Sequence, residues 1–256
     1  MTALHPTPST PSTAIPRSLL IINPNSTTAM TTALVPIITP LLPPSFRATY
    51  FTGPPSSPPS INNEADSTAS ATACLPLLLP LLASHDAVLI ACYSAHPLVP
   101  QLRARTAAPV IGILEASVYF SLALLGASGA AGGKFGIVTT GAAWESLLAT
   151  AVEELLGGKG RFAGVTSTGL DADQLHRVGR EELEARMGEA TRKLVGEGEE
   201  GKEGAQGAEV VCLGCAGMVG LREVVEQAAK EVGKSVKVVD GVEAGVGVLV
   251  GMVGRY

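Results

Sequence analysis

Four cysteines stand out in a chain with few other reactive side chains: Cys74, Cys92, Cys212 and Cys215. Cys92 and Cys215 each follow a short apolar run and precede small or polar residues, Tyr93-Ser94 and Ala216-Gly217. A free thiol ionises near pH 8.5, and its thiolate is the reactive form. A strand-end thiol followed by a helix gains from the N–H groups and partial positive charge of the helix N-terminus, so both are expected to ionise readily. One thiolate can take a proton from a carbon beside a carbonyl. A second thiol on the opposite face can return one, which is racemisation or epimerisation without a cofactor. The developing enolate oxygen needs hydrogen-bond donors. Backbone N–H groups after Asn23, Cys92, Thr139 and Cys215 could supply them, and Ser26, Ser94, Thr139 and Thr140 add hydroxyls.

Other chemistries fit less well. Cys74 and Cys212 read as core residues, since cysteine most often behaves as a small hydrophobe. Cys212-x-x-Cys215 has redox spacing, but a strand running through Gly214 points the two thiols apart. A zinc site needs four ligands, or three plus water, and no such set is spaced here. No Gly-x-Gly-x-x-Gly follows a strand, which disfavours a dinucleotide site. His96 either tunes Cys92, donates to substrate or caps a turn. Glu115 either orients another group or caps the helix that follows it. Asp240-Gly241 reads as a turn.

These thiols need elements to hold them. Four apolar runs read as buried parallel strands: Ser18–Ile22 before Asn23, Ala87–Ala91 before Cys92, Lys134–Val138 before Thr139, and Ala208–Gly214 before Cys215. Helical patterns follow at Thr28–Leu42 (broken by Pro36 and Pro40), Leu98–Thr106, Ala142–Leu156 and Leu221–Val232, with an amphipathic stretch over Gln174–Val195. Val110–Ile113 and Val236–Val239 read as further strands. This alternation is the mark of a parallel α/β sheet. A strand ending in a polar turn precedes a strand ending in Cys twice: Asn23 to Cys92 over 69 positions, Thr139 to Cys215 over 76. A duplicated α/β unit is therefore expected. Ligands bind beyond the carboxyl ends of such strands, so two halves facing across a cleft would set one thiol on each side of a small substrate.

Composition is consistent with this. The 256 residues are 46% hydrophobic, 4% aromatic and only 16% charged, where about 25% charged is usual. A net charge of −5 and scarce aromatics exclude a phosphate-backbone or base-stacking partner. No run reaches the roughly 18 uninterrupted apolar residues of a membrane span, so no membrane partner is expected. Residues 1–17, rich in Thr, Ser and Pro, lack a secretory pattern and read as a disordered tail, and residues 196–207 as a flexible loop. The four cysteines then read as reduced thiols in the cytoplasm. Residues 1–134 hold only 5 basic and 4 acidic side chains, which leaves room for a homo-oligomer interface.

Five segments in order resemble the aspartate/glutamate racemase superfamily, and more narrowly its hydantoin/allantoin racemase branch. They are Ile22-Asn23-Pro24-Asn25-Ser26-Thr27, Ala91-Cys92-Tyr93-Ser94-Ala95-His96-Pro97-Leu98, Ile111-Gly112-Ile113-Leu114-Glu115-Ala116-Ser117, Phe135-Gly136-Ile137-Val138-Thr139-Thr140-Gly141 and Leu213-Gly214-Cys215-Ala216-Gly217-Met218. The resemblance implies two pseudo-symmetric, Rossmann-like (flavodoxin-like) three-layer lobes with parallel sheets and an active site in the cleft between them. The first lobe would comprise residues 18–114 and 222–256, and the second residues 115–221. It implies Cys92 and Cys215 as a cofactor-independent acid/base pair. Asn23, Ser26, Tyr93, Ser94, Thr139, Thr140, Ala216 and Gly217 would surround a small-molecule substrate, with His96 and Glu115 as tuning residues and no metal. Amino-acid racemases of this kind carry Thr or Asn after the cysteines to grip charged groups, where this chain has Ala216-Gly217. That favours an uncharged ring such as a 5-substituted hydantoin or allantoin. An Asp/Glu racemase, a maleate-isomerase-like enzyme with a Cys nucleophile, and a non-catalytic binding relative are the alternatives.

Overall fold

A computed structural model describes residues 16–126, 133–196 and 207–253. Most of the expected tail (1–17) and most of the expected loop (196–207) lie outside them. The strand β1 (Arg17–Asn23) shows how the fold arises. Leu19 and Ile21 enter one core, and Leu20 and Ile22 enter another on the opposite face. A strand apolar on both faces needs cover on both, which only helices above and below a parallel sheet supply.

The first sheet has the order β2-β1-β3-β4, with β2 (Phe46–Thr52), β3 (Ala87–Ile90) and β4 (Val110–Gly112). The second repeats it as β6-β5-β7-β8, with β5 (Lys134–Thr139), β6 (Phe162–Ser167), β7 (Ala208–Gly214) and β8 (Lys237–Asp240). All pairings are parallel. Among the described residues the helices are α1 (Thr28–Ile38), α2 (Glu64–Leu78), α3 (Leu98–Arg103), α4 (Ile113–Leu125), α5 (Ala143–Leu156), α6 (Arg180–Val195), α7 (Arg222–Glu231) and α8 (Gly241–Val253). The expected two-lobe α/β architecture is thus the observed one.

Two helices are exchanged between the sheets. α4 follows the first sheet but packs mainly on β7 and β8. α8 follows the second sheet and packs on β3 and β4, and the two helices also pack on each other. This corrects the expected lobe boundary at residue 222. β8 extends the second sheet and α7 packs on α6, so residues 222–240 belong with the second lobe and only α8 returns. A parallel strand carries its crossover helix with it.

Several element limits also differ. Pro36 sits inside α1 without ending it, and the helix tightens into a 3-10 turn at Thr39–Leu41, where Pro40 stands. α6 starts at Arg180 rather than near Gln174, because Gln174–His176 forms a separate 3-10 turn before Gly179. α2 and the 3-10 turn after it, Glu64–Ser84, are together long and apolar enough to cross a membrane by length and composition. A third of that stretch is buried, with Ala71, Cys74, Leu78 and Leu82 packed on one face of the first sheet.

Candidate active site

The paired strands set the geometry. Ile22 pairs with Ile90 and Ile90 with Gly112; in the second sheet Val138 pairs with Leu213 and Leu213 with Asp240. Superposing these two rows makes Asn23 equivalent to Thr139 and Cys92 equivalent to Cys215, each thiol two residues beyond its row. The unequal spacings of 69 and 76 therefore end at one structural position. Both thiols line a single cleft, which encloses about 710 Å³ with its solvent mouth included.

Each corner of the cleft is fixed from behind. Asn23 is buried, and its Nδ2 donates to Asn25 Oδ1 at 2.9 Å and Thr31 Oγ1 at 3.0 Å. Its amide thus shapes the Asn23-Pro24-Asn25 turn. That turn rests on Gly53, where a Cβ would come within 2.5 Å of the Pro24 carbonyl oxygen. Cys74 supports the same turn, its thiol donating to Pro24 O at 3.4 Å. Cys92 Sγ lies 3.4 Å from Ser94 Oγ. Cys215 Sγ accepts the Gly217 N–H at 3.4 Å. Tyr93 is buried with its hydroxyl 2.7 Å from Ser117 Oγ on α4, and Ser121 Oγ on the same helix lies 3.1 Å from Cys212 Sγ. Cys212 is fully buried, as expected of a core thiol.

Of the expected site residues, Asn23, Cys92, Tyr93, Thr140, Cys215, Ala216 and Gly217 line the cleft. Ser26, Ser94 and Thr139 do not line it. Thr139 instead donates to Gly214 O at 3.2 Å, tying β5 to β7 beneath Cys215. Sequence reasoning passed over Asn25, Met30, Leu34, Ile61, Trp144 and Ala172, which complete the walls. Trp144 had a signal, as the chain's single tryptophan just after the Thr139-Thr140-Gly141 turn. None of the lining residues carries a formal charge.

The two tuning residues act elsewhere. His96 is wholly buried: its Nδ1 accepts the Leu98 N–H at 3.2 Å and its Nε2 lies 2.9 Å from Ser70 Oγ. Ser70 donates its own proton to Ser67 O, so Nε2 carries the hydrogen and the ring is neutral. Burial pushes its pKa down to about 4. His96 therefore caps α3 and clamps it to α2. Glu115 accepts two bonds from Arg103, at 3.0 and 2.7 Å, and one from the Gly112 N–H, so it caps α4.

The thiols depart from expectation in one respect. Burial pushes Cys92 up to about 12, eased by the Ser94 hydrogen bond and reinforced by a charged Cys215. Burial also pushes Cys215 up to about 11, eased by the Gly217 N–H and reinforced by Asp240. The expected help from helix N-termini is missing. α3 starts six residues beyond Cys92, and Cys215 caps only the three-residue 3-10 turn Ala216–Met218. Neither thiol therefore stands at the N-cap of an α-helix. Among the described residues no group of three or more His, Cys, Asp or Glu could hold a metal ion.

The family model for Asp/Glu/Hydantoin racemase matches residues 19–249. An uncharacterized protein of Schizosaccharomyces pombe is 35% identical over 168 residues, which cover 66% of this chain and 63% of that relative. The chain thus matches less than two thirds of that relative's length. An allantoin racemase from Pseudomonas fluorescens superposes with a TM-score of 0.75 and 25% identity, over 93% of this chain and 91% of that one. An allantoin racemase from Klebsiella pneumoniae gives 0.72 at 24% identity, over 93% and 88%, a likeness of fold. With the matched segment spanning both sheets and both strand-end thiols, the chain belongs to the Asp/Glu/Hydantoin racemase family.

Proposed function

We propose that the protein is a cofactor-independent racemase or epimerase of a hydantoin-like compound, a 5-substituted hydantoin or allantoin. The observation that carries this reading is a pair of topologically equivalent thiols on one cleft whose walls hold no charged side chain. One thiolate takes the proton from the ring carbon beside the carbonyl, and the electron pair moves onto the enolate. The opposite thiol gives its proton to the other face of that carbon, and the two sulfurs exchange roles. An uncharged ring suits such walls. An aspartate, glutamate or maleate substrate would bring two or three charged groups into a cleft that offers no ionic partner, at a heavy desolvation cost.

The test is a chiral-product screen over single enantiomers of 5-substituted hydantoins and allantoin, with aspartate, glutamate and maleate alongside. Loss of optical rotation with a ring substrate, and none with the charged compounds, is expected. Turnover of only the charged compounds would overturn the substrate class. Ligand-induced thermal stabilisation with no turnover of any compound would mark a binding protein instead.

A further inference from the structure

The two halves match in more than their thiols. Arg103 donates to Val110 O and pairs with Glu115; Arg222 donates to Val238 O and pairs with Glu243. In the superposed rows Val110 corresponds to Val238, and Glu115 to Glu243. One position breaks the match. Gly112 corresponds to Asp240, so a carboxylate stands at the end of β8 where the other half has no side chain. Asp240 is 5% exposed, and its Oδ1 accepts the N–H groups of Val242 at 2.8 Å and Glu243 at 3.1 Å, capping α8. The next residue, Gly241, lies so close to Tyr93 that a Cβ would stand 3.1 Å from the ring. The Asp240 turn therefore abuts the wall residue that follows Cys92, while its strand neighbour Leu213 leads to Cys215.

We propose that Asp240 is a positioning residue: its buried carboxylate balances the two thiols so that either can serve as the base. The inference rests on the two-thiol reading, because a racemase meets both enantiomers and needs thiols of similar proton affinity. The thiols have different neighbours. Cys215 holds a backbone N–H bond that favours its thiolate, whereas Cys92 has the Ser94 hydroxyl. The negative charge of Asp240, on the strand paired beside the one that leads to Cys215, opposes ionisation of Cys215 and so offsets part of that N–H bond. The other titratable or charged groups facing Asp240 are Tyr93, with Cys212 beside it, and Glu243 and Arg222, which pair with each other. From α4, the groups facing Tyr93 and Cys212 are the Ser117 and Ser121 hydroxyls. Cys215 already lies below Cys92, and with the carboxylate charge removed the gap widens, so that the Cys215 thiolate forms earlier still and holds Cys92 protonated.

The experiment is site-resolved alkylation of the full chain with iodoacetamide between pH 7 and 9, read by peptide mass spectrometry at Cys92 and Cys215. It compares wild type with Asp240→Asn, which keeps a capping side chain without the charge, and with Asp240→Ser as a second capping variant. Loss of a nearby charge moves a pKa by about one unit or more, and a less basic thiolate is a weaker nucleophile. Cys215 alkylation is expected to accelerate about three- to tenfold relative to Cys92 in both variants. General loosening would accelerate both thiols together. An unchanged ratio in both variants, or an equal gain at Cys92, overturns the proposal. The readout needs no substrate, so the two readings fail separately. If Cys92→Ser and Cys215→Ser variants still racemise, the two-thiol reading falls, and the inference built on it falls too. If they are inactive and the ratio stays fixed, the Asp240 role alone falls.

Discussion

His96 makes the fold acid-sensitive in a way that can be separated from every other group. The ring is wholly buried and neutral, with both nitrogens engaged, and burial holds its pKa near 4 where an exposed histidine titrates at 6.5. The unfolded chain takes up a proton as pH falls below 6.5, and the folded chain does not until about pH 4. This contribution to stability is therefore complete above pH 6.5 and is lost as pH falls toward 4. Each pKa unit corresponds to about 1.4 kcal/mol, so the loss is about 3 kcal/mol over that window. Typical domains have only about 5–15 kcal/mol in hand, so the effect is large. Urea denaturation followed by circular dichroism at pH 7, 6, 5 and 4.5 measures it for wild type and for His96→Gln, which cannot titrate. The stability difference between the two should shrink by about 1.4 kcal/mol per pH unit below 6.5. Parallel curves across this range would refute a buried neutral His96.

Two further predictions follow from the thiols and the strand beneath them. With Cys92 near 12 and Cys215 near 11, the thiolate proposed as the base is scarce at neutral pH. Racemisation kcat/KM should climb about tenfold per pH unit from pH 6 to 8, and a flat profile measured by polarimetry would contradict the raised thiols. At Gly214 an added Cβ would stand 2.7 Å from Val138 O and 2.8 Å from Ile137 Cγ2, so Gly214→Ala must push β5 and β7 apart just before Cys215. A loss of about 1–3 kcal/mol in denaturation is expected, together with reduced turnover; wild-type stability would show that the strands yield freely.

The central strands were legible because they are buried on both faces, as in the apolar runs of β1, β3, β5 and β7. The edge strands β4 and β8 were legible as short apolar runs, but the edge strands β2 and β6 were not. β2 reads Phe46-Arg47-Ala48-Thr49-Tyr50-Phe51-Thr52, half exposed and mixed in polarity, and β6 is interrupted at Gly164, whose φ is +119°. α4 and α8 escaped for the opposite reason. Each is wedged between sheets and against the other, so it is apolar on most sides and lacks an amphipathic stripe. Cys92, Cys215 and Asn23 were readable because a strand end dictates where they point. Met30, Ile61 and Trp144 come from helices and a loop, so only the tertiary fold brings them to the cleft. Asp240 looked like a turn residue because its significance lies in the contrast with Gly112, visible only once the two sheets are superposed.

Proton transfer by Cys92 and Cys215 to opposite faces is tested most directly by hydrogen exchange in heavy water. Each enantiomer of a turned-over ring substrate is incubated with wild type, Cys92→Ser and Cys215→Ser, and deuterium at the ring carbon is followed by NMR. The predicted result is that wild type exchanges both enantiomers while racemising them. Each single variant should fail to racemise and should exchange only one enantiomer, a different one for each variant. If both variants racemise at the wild-type rate, or if one exchanges both enantiomers alone, the two-thiol account is contradicted.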